Sequence, residues 1–315
     1  MRIVFLGTPE AAVPSLEHLV GAGHELPLVV TQPDRPAGRS RRPVAPPVKR
    51  VAQDHGIQIC QPEKIRTRSF RESIAALDPD LLAVVAYGRI LSRRLLDTPR
   101  LGTVNVHFSL LPDYRGAAPV QWALADGRRE TGVTTMLLDE RMDEGDLLLQ
   151  RTVPIHPGEH APALEERMAR LGAGLLIETV EGLEAGTITP RPQDHSAATY
   201  ARSLTRSDGE IDPGLAAAAI AGRVRGFDPW PGAWVRTGNR RLRIVEARAL
   251  GGRGDDPPGT VVELTADGLI VACGSGSRLL LVRAQPEGRK PQGARDLVNG
   301  RQLQPGDRLL PPGEA

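Results

Sequence analysis

Short, uninterrupted apolar runs separated by helical stretches most constrain the fold of this 315-residue chain. These runs occupy residues 3–6, 27–32 and 80–88, and a further strand pattern follows at 103–107. A strand that is apolar on both faces belongs in a sheet covered by helices, and strands joined through helices pair in parallel. The first half of the chain is therefore predicted to adopt an α/β fold with a doubly wound, mostly parallel sheet.

The turn after the first strand tests whether this sheet binds a dinucleotide. That fingerprint needs G-x-G-x-x-G at the turn and an acidic residue about 20 positions later. Here the turn reads Gly7-Thr8-Pro9-Glu10, so the glycines are missing. A nicotinamide dehydrogenase is disfavoured, although ligands of such sheets still bind beyond the carboxyl ends of the strands.

Residues 105–119, NVHFSLLPDYRGAAP, carry two chemically capable side chains at the end of a predicted strand. Asn105 and His107 are two residues apart, so they project from the same face of the strand. The chain then leaves the strand through Ser109 and turns at Pro112 before an apolar helix begins. This pattern is typical of an active-site rim.

An acidic segment at 139–150, DERMDEGDLLLQ, follows the strand predicted at 132–138. It could be only a solvated turn. However, Gly145 permits a tight return that would direct Asp143 back towards the sheet. Asp143 is therefore a candidate catalytic carboxylate.

A basic loop is predicted at 32–50, where five prolines and Gly38 argue against regular structure. Loops of this length in compact domains are usually functional or disordered. The run could be a solvated charged surface, or it could contact the phosphates of a nucleic acid. Its candidate binding residues are Arg35, Arg39, Arg41, Arg42 and Lys49.

The chain changes character after a long amphipathic helix predicted at about 162–185. Residues 187–208 have few large apolar side chains and resemble a linker. From 209 onward, short strands spaced by glycine turns predict a small β-barrel or sandwich with 15 Lys and Arg against 12 Asp and Glu. Trp230 and Trp234 could stack on bases or serve in packing.

Composition excludes several other classes of protein. Cys60 and Cys273 are far apart and form neither a disulfide framework nor a metal-ligand pair. The six histidines other than His107 are scattered, so surface or packing roles are expected and no metal site is predicted. No apolar run reaches the roughly 18 to 20 residues of a membrane helix, and no export leader is recognisable. We expect a cytoplasmic protein.

With these residues laid out, the chain resembles the methionyl-tRNA formyltransferase family, within the folate-dependent formyltransferases, over nearly its whole length. The resemblance implies a Rossmann-like formyltransferase domain at 1–187, a linker at 188–208 and an OB-like barrel that binds tRNA at 209–315. The motifs that carry it are FLGTPE (5–10), TQPDRPAGR (31–39), VVAYGRIL (84–91), NVHFSLLPDYRGAAP (105–119), TGVTTMLLDERMDEGDLL (131–148) and FDPWPGAW (227–234).

The resemblance also implies the reaction: a formyl group passes from 10-formyltetrahydrofolate to the α-amino group of methionine on initiator tRNA, without a metal. The catalytic residues of the family fall on Asn105, His107 and Asp143. The loop at 35–50 matches the family segment that enters the acceptor stem. The family's folate contacts fall on Ser109, Leu110, Leu111 and Pro112, with the turn at Tyr87 and Gly88 nearby.

The chemistry of formyl transfer agrees with that assignment. Attack of an amine on a formyl carbon develops an oxyanion, which the preorganised donors of Asn105 and His107 could stabilise. The attacking nitrogen must lose a proton while the leaving nitrogen gains one. Asp143 could orient His107 and relay that proton, directly or through water.

Two positions depart from the pattern of the family, and one rival function stays open. Phe108 is larger than the usual residue and is expected to pack away from His107, while Asp113 replaces a basic residue of some members and puts a tRNA contact there in doubt. A formyltransferase for a nucleotide-sugar or another small amine would share the N-terminal chemistry. A catalytically idle RNA-binding module is disfavoured by the three catalytic candidates. We expect a monomer.

Overall fold

The first half of the chain is built around one sheet of seven strands. The computed structural model describes residues 1–37 and 42–313. The strands up to the long central helix are β1 (Arg2–Gly7), β2 (Glu25–Val30), β3 (Arg35–Ala37), β4 (Arg42–Val44), β5 (Ile59–Cys60), β6 (Leu81–Val85), β7 (Thr103–His107), β8 (Glu130–Leu137) and β9 (Leu147–Pro154). The helices between and after them are α1 (Val13–Gly21), α2 (Pro47–Asp54), α3 (Arg68–Ala75), α4 (Arg93–Leu96), α5 (Pro119–Ala125) and α6 (Ala161–Glu184).

The order of strands in this sheet is β5-β2-β1-β6-β7-β8-β9. The pairs from β5 to β7 are parallel, whereas β8 and β9 add two antiparallel pairs at the other side. The two central strands are buried throughout, since all five residues of β6 and of β7 are buried. The prediction of a doubly wound, mostly parallel sheet is confirmed.

Strand β7 lies in the interior of the sheet and carries the candidate catalytic pair. Asn105 is opposite Val84 of β6 and Met136 of β8, and His107 is opposite Thr134 of β8. The strand ends at His107, at the edge of the sheet where β6 also ends. This is the edge at which ligands of open α/β sheets bind.

The expectation that residues 32–50 have no regular structure is wrong. Strands β3 and β4 pair antiparallel, with Arg35 opposite Val44 and Ala37 opposite Arg42. Helix α2 then begins at Pro47, where proline is tolerated because the first helical N–H needs no partner within the helix. Proline excludes a residue from central strands only, so an isolated two-stranded hairpin can accommodate Pro36 and Pro43.

The C-terminal part contains an antiparallel sheet in the order β10-β11-β14-β13-β12, with β15 paired to β14. One isolated bridge joins Arg236 of β10 to Leu310. A second joins Thr260, just before β12, to Arg308. The segment 308–310 thereby links the two edge strands and closes the sheet into a small barrel, as predicted. The elements are α7 (Ala217–Gly226), β10 (Ala233–Thr237), β11 (Arg240–Leu250), β12 (Val261–Leu264), β13 (Leu269–Ala272), β14 (Arg278–Pro286), β15 (Gln292–Gly293) and α8 (Ala294–Asn299).

The described chain forms two compact units. One contains Met1–Pro119, Glu130–Pro154 and Glu165–Arg202, and the other contains Val120–Arg129, Ile155–Leu164 and the chain from Ser203 onward. Residues 188–202, which form most of the predicted linker, therefore cluster with the seven-stranded sheet. Across residues 1–37 and 42–313, no helix has the length and apolar character that a membrane crossing requires.

Candidate active site

Asn105 and His107 lie together at the carboxyl end of β7, both largely shielded from solvent. Their exposed fractions are 9% and 6%, and Val104 and Val106 alternate with them and are also buried. Within the described residues, no hydrogen bond joins the amide of Asn105 to another group, and its polar atoms are not fully buried, so they keep some contact with solvent. A buried polar group without a protein partner costs free energy unless a ligand or water satisfies it. The Asn105 amide is therefore available to a bound molecule.

The imidazole of His107 contacts a backbone carbonyl on one side and a carboxylate on the other. Its Nε2 lies 2.9 Å from the carbonyl oxygen of Tyr114. A carbonyl can only accept, so Nε2 carries the hydrogen and donates it. The remaining nitrogen, Nδ1, lies 3.8 Å from Oδ2 of Asp143. Because Nε2 is occupied in this way, only Nδ1 can serve a substrate.

Asp143 is the third partner, and its turn holds it in an unusual backbone conformation. Its φ is 54°, in the left-handed region that residues with a Cβ rarely adopt. Oδ2 accepts a hydrogen bond of 2.9 Å from the backbone N–H of Gly116. Two residues later, a Cβ on Gly145 would lie 1.9 Å from the carbonyl oxygen of Leu137. Glycine is thus needed at 145 for close approach of the backbone, whereas Asp143 itself adopts the left-handed conformation.

The segment that holds His107 and Asp143 is itself fixed by residues near 200. Arg115 N–H donates to the carbonyl of Thr199 at 2.9 Å, and Ala201 N–H donates to the carbonyl of Arg115 at 2.7 Å. Gly116 has a φ of 116°, and a Cβ there would lie 2.6 Å from the carbonyl oxygen of Ala201. Only glycine fits this position, which places its N–H against Asp143.

A buried polar network behind Asp143 contains residues that the sequence did not indicate. The amide of Gln193 donates to the carbonyl oxygens of Asp143, at 2.9 Å, and Gly145, at 2.7 Å. Its Oε1 accepts from Nε and Nη2 of Arg115, at 3.1 and 2.7 Å. Gln193 comes from the predicted linker, and no local pattern singles it out.

Arg115 is the largest fully buried side chain of the described residues, with 1% exposure. Its guanidinium lies 3.8 Å from Glu144, and its Nη2 donates to Nδ1 of His195 at 3.0 Å. His195 was expected to have a surface or packing role, and here it accepts a hydrogen bond from a buried cation. Asp143 is therefore one end of a connected set of charged and polar groups.

The predicted folate rim at 109–112 is tied to β8 and β9. Ser109 is fully buried, and its hydroxyl donates to the carbonyl of Asp113 at 2.5 Å. Thr134 donates to the carbonyl of Ser109 at 2.6 Å, and Gln150 donates to the carbonyl of Leu111 at 2.8 Å. Leu111 also packs against Met136 and Leu147, while Leu110 and Pro112 are half-buried and continue the rim.

The second part of the predicted folate site, at Tyr87 and Gly88, follows β6. The ring of Tyr87 packs in the core with Leu91 and Leu95, and its burial raises the pKa of the phenol to about 12. The carbonyl of Tyr87 accepts a hydrogen bond of 2.8 Å from Gln32. In contrast, the backbone groups of Gly88 to Leu91 have no hydrogen-bond partner among the described residues. They are free to bind a polar ring system.

The predicted tRNA-binding residues are only partly within the described chain. Arg39 and Arg41 lie outside it, and of Arg42 only the backbone is described. Arg35 donates to Gln32 at 2.9 Å, and Lys49 forms an ion pair of 2.8 Å with Asp34. Hydrogen bonds from Gln61 and from Lys49 lower the pKa of the Asp34 carboxyl, so this carboxylate is charged near neutrality.

Two further sequence features have definite positions. Phe108 is 8% exposed, and its ring lies 3.4 Å from a Cβ built on Gly172 of α6, so it packs against that helix. In the C-terminal unit, the guanidinium of Arg241 stacks on Trp234 with 4.3 Å to the ring centroid, and Trp230 is 54% exposed. In the part of the chain that the structure describes, no cluster of three or more His, Cys, Asp or Glu residues could hold a metal.

Asp113, the other departure from the family pattern, faces the same segment near 200. Its Oδ1 accepts a hydrogen bond of 3.3 Å from the hydroxyl of Thr199. The backbone N–H of the following residue, Tyr114, donates to the same hydroxyl at 2.8 Å. Asp113 therefore helps to attach the segment that carries the Tyr114 carbonyl.

Comparison with protein families matches both parts of the chain. The Formyl transferase family matches residues 1–180, and its C-terminal domain matches residues 203–302. A protein of Acidobacterium capsulatum named methionyl-tRNA formyltransferase is 48% identical over 98% of this chain and 99% of its own length. A protein of the same name from Halorhodospira halophila is 49% identical over 97% of this chain and 98% of its own.

Solved structures share the fold at much lower sequence identity. WlaRD, a sugar 3N-formyl transferase crystallised with dTDP and 5-N-formyl-THF, superposes with a TM-score of 0.67 at 16% identity, covering 92% of this chain and 99% of that chain. HypX from Aquifex aeolicus in complex with tetrahydrofolic acid gives a TM-score of 0.60 at 17% identity over 98% of this chain and 48% of that chain. This chain therefore spans about half the length of HypX. The family matches and the full-length relatives together show that the chain belongs to the methionyl-tRNA formyltransferase family of formyl transferases.

Proposed function

We propose that this chain transfers a formyl group from 10-formyltetrahydrofolate to the α-amino group of methionine on initiator methionyl-tRNA, in the initiation of translation. The observation that carries the proposal is the unpartnered, buried amide of Asn105 beside the His107 and Asp143 pair. Together they offer a hydrogen-bond donor and a proton acceptor at the ligand-binding edge of the sheet. Transfer of an acyl group to an amine requires those two functions.

Asn105 stabilises the charge that develops during transfer. The folate supplies the formyl group, and the amide N–H of Asn105 donates to the formyl oxygen as negative charge grows on it. The amide has no protein partner to give up, so little reorganisation is needed. Removing one such preorganised donor from an enzyme typically costs about 3 to 4 kcal/mol of transition-state stabilisation.

His107 and Asp143 manage the proton of the attacking amine. The 3.8 Å between Nδ1 and Oδ2 is too long for a direct hydrogen bond. An atom placed to one side can nevertheless lie within about 2.8 Å of both. The amine, or a water that bridges to it, occupies that position. The pair accepts the proton that the amine loses and then returns a proton to the leaving nitrogen.

The folate lies along two segments whose chemistry suits a polar ring with an apolar edge. The free backbone groups of Gly88 to Leu91 hydrogen-bond the ring, and Leu110, Leu111 and Pro112 form the apolar wall. Ser109 belongs to the same wall, and its internal hydrogen bonds hold it in place. Tyr87 contributes by packing beneath the 88–91 segment.

The tRNA is bound by the basic loop and by the C-terminal domain. The proposed division is a catalytic domain at 1–187, a linker at 188–208, of which residues 188–202 cluster with the seven-stranded sheet, and a tRNA-binding barrel at 209–315. Arg39, Arg41 and Arg42 supply the attraction for phosphates, with Arg35 at the base of the hairpin. The ion pair of Lys49 with Asp34 makes Lys49 a weaker candidate, because its charge is already compensated.

All three catalytic candidates come from one chain, so a monomer suffices for the reaction. Charged initiator tRNA is present where translation takes place, which puts the enzyme in the cytoplasm. Equilibrium sedimentation of the free protein and of its tRNA complex tests whether the protein is a monomer. A dimer that dissociates only with loss of activity would contradict the monomer.

The alternative, a formyltransferase for a nucleotide-sugar or another small amine, is disfavoured by the relatives. Relatives named methionyl-tRNA formyltransferase, with 44% to 49% identity, match nearly the whole of this chain and of their own length. A competition assay with labelled 10-formyltetrahydrofolate, charged initiator tRNA and a nucleotide-linked amino sugar separates the two. Label is expected on the tRNA alone, and label on the sugar at a comparable rate would contradict the proposal.

A further inference from the structure

We propose that Gln193 is a positioning residue that fixes Asp143 in its working conformation. This inference rests on the proposed function of Asp143. Gln193 is 50 residues from Asp143 in sequence, lies outside the motifs that identify the family here, and is 5% exposed. Its side chain contacts the backbone of the turn and does not touch a substrate.

The orientation of the Gln193 amide follows from its partners. The NH₂ group has two carbonyl oxygens, of Asp143 and Gly145, within 2.9 Å. Oε1 has two guanidinium N–H groups of Arg115 within 3.1 Å. Rotating the amide by half a turn would oppose donors to donors and acceptors to acceptors. All four hydrogen-bonding positions are thus used in one orientation only.

The Asp143 turn needs such an anchor because its backbone is in a disfavoured region. The left-handed φ of Asp143 persists only where its surroundings hold it. Gln193 donates hydrogen bonds to the backbone carbonyls of Asp143 and Gly145 and so holds the turn on both sides of Glu144. Without these two hydrogen bonds, Asp143 would relax towards an ordinary φ, and its carboxylate would move away from His107.

The anchor also couples the two catalytic side chains to each other. Arg115, which holds Gln193, lies between Tyr114 and Gly116. The carbonyl of Tyr114 accepts from His107, and the N–H of Gly116 donates to Asp143. The contacts form a closed ring from His107 through Arg115 and Gln193 to Asp143. This ring sets the 3.8 Å separation across which the proton moves.

Replacing Gln193 with Glu tests the role. The Gln193→Glu side chain keeps its volume and its contact with Arg115 but opposes an oxygen to the two carbonyls of the turn. We expect kcat for formylation to fall about 10²-fold, since a misplacement near 1 Å in a catalytic group has effects of that size. KM for methionyl-tRNA and for folate should stay within about twofold, because uniform binding is unchanged.

The matched control is Gln58→Glu, the same substitution at an exposed position outside the proposed catalytic, folate-binding and tRNA-binding segments. It should leave kcat unchanged. Hydrogen exchange gives a second readout, because the N–H of Gly116 is protected by the Asp143 carboxylate. Exchange in the peptide containing Gly116 should quicken in Gln193→Glu and not in the control. Gln193→Met, which keeps the volume without a charge, serves if the Glu variant does not fold.

Single-turnover rates with Asp143→Asn distinguish failure of this inference from failure of the proposed function. If Gln193 acts through Asp143, adding Gln193→Glu to Asp143→Asn lowers the rate by less than about twofold further. A fully active Asp143→Asn enzyme would overturn the proposed function. A slow Asp143→Asn enzyme together with a Gln193→Glu enzyme of normal kcat and normal Gly116 protection would overturn this inference alone. A Gln193→Glu defect that multiplies with that of Asp143→Asn would overturn it too.

Discussion

The Asp143 turn and the basic hairpin both belong to the unit built on the seven-stranded sheet. They differ in how far their charged groups are buried and in which residues bind them. At the turn, Asp143 and Glu144 are half-buried, and each contacts a group distant in sequence, the Gly116 N–H and the buried Arg115 guanidinium. At the hairpin, Arg35 bonds a glutamine three residues earlier, and Val44 is 48% exposed. The turn has a fixed geometry, as proton transfer requires, whereas the hairpin presents exposed polar and apolar groups on a short two-stranded scaffold.

The difference teaches which properties a substitution will change in each region. At the turn, geometry determines rate, so we expect changes in kcat and in the free energy of unfolding. At the hairpin, net charge determines attraction to phosphates, so we expect changes in KM and in its salt dependence. Four variants, three of them with a matched control, test this contrast in order of decreasing effect.

Asp143→Asn should have the largest effect. The amide keeps the shape of the carboxylate but cannot accept the proton, so kcat should fall by about 10²- to 10⁴-fold. Asp146→Asn, three residues on, is the control and should retain the wild-type rate. Steady-state formylation of charged tRNA measures both, and a kcat for Asp143→Asn within twofold of wild type would remove Asp143 from the mechanism.

Asn105→Ala should lower kcat by about 10²- to 10³-fold by removing a donor to the oxyanion. No described residue bonds the Asn105 amide, so its removal breaks no internal hydrogen bond. The melting temperature should therefore stay close to that of wild type. A variant that loses activity and stability together would indicate that Asn105 has a structural role instead.

Gly145→Ala should destabilise the protein, because its Cβ would meet the carbonyl oxygen of Leu137 at 1.9 Å. Overpacking of this kind costs about 1 to 3 kcal/mol of unfolding free energy. Gly174→Ala in α6 is the control, since outside the local helix backbone and the adjoining residues no atom lies within 4 Å of its Cβ position. It should stabilise the helix by roughly 0.5 to 1 kcal/mol. Urea unfolding measures the free energy of unfolding of both variants. Equal changes in the two would contradict the close contact at Gly145.

The double variant Arg41→Gln and Arg42→Gln should have the smallest effect on chemistry. KM for charged tRNA should rise, and the slope of its logarithm against that of salt concentration should fall by about 1 for each phosphate that the protein no longer neutralises. kcat and the melting temperature should not change. Arg68→Gln, on an exposed helical position paired with Glu72, is the control. Equal salt slopes in all three proteins would make the hairpin an ordinary solvated surface.

The same contrast explains what could be predicted from the sequence. Alternation along a strand is local, so Asn105 and His107 could be assigned to one face without any tertiary information. The parallel sheet followed from apolar runs of strand length. Asp143 came chiefly from the resemblance to a known family, because an acidic turn has too many ordinary explanations.

Gln193, Arg115 and Tyr114 could not be predicted as parts of the site. Gln193 lies 50 residues from the turn that it holds, in a segment whose composition matches a linker. Tyr114 acts through its carbonyl, which every residue possesses. The left-handed φ of Asp143 has no glycine to announce it. Tyr114 and Arg115 lie in the segment 112–118, which is paired with residues near 200, and that pairing is tertiary information.

The central claim is that this site formylates methionine only when initiator tRNA presents it. The direct test is the initial rate of label transfer from 10-formyltetrahydrofolate to methionine on initiator tRNA, methionine on elongator tRNA and free methionine at equal concentrations. Rapid transfer to initiator methionyl-tRNA, with far slower transfer to the elongator form and none to free methionine, is the predicted result. Comparable rates on all three would contradict the account.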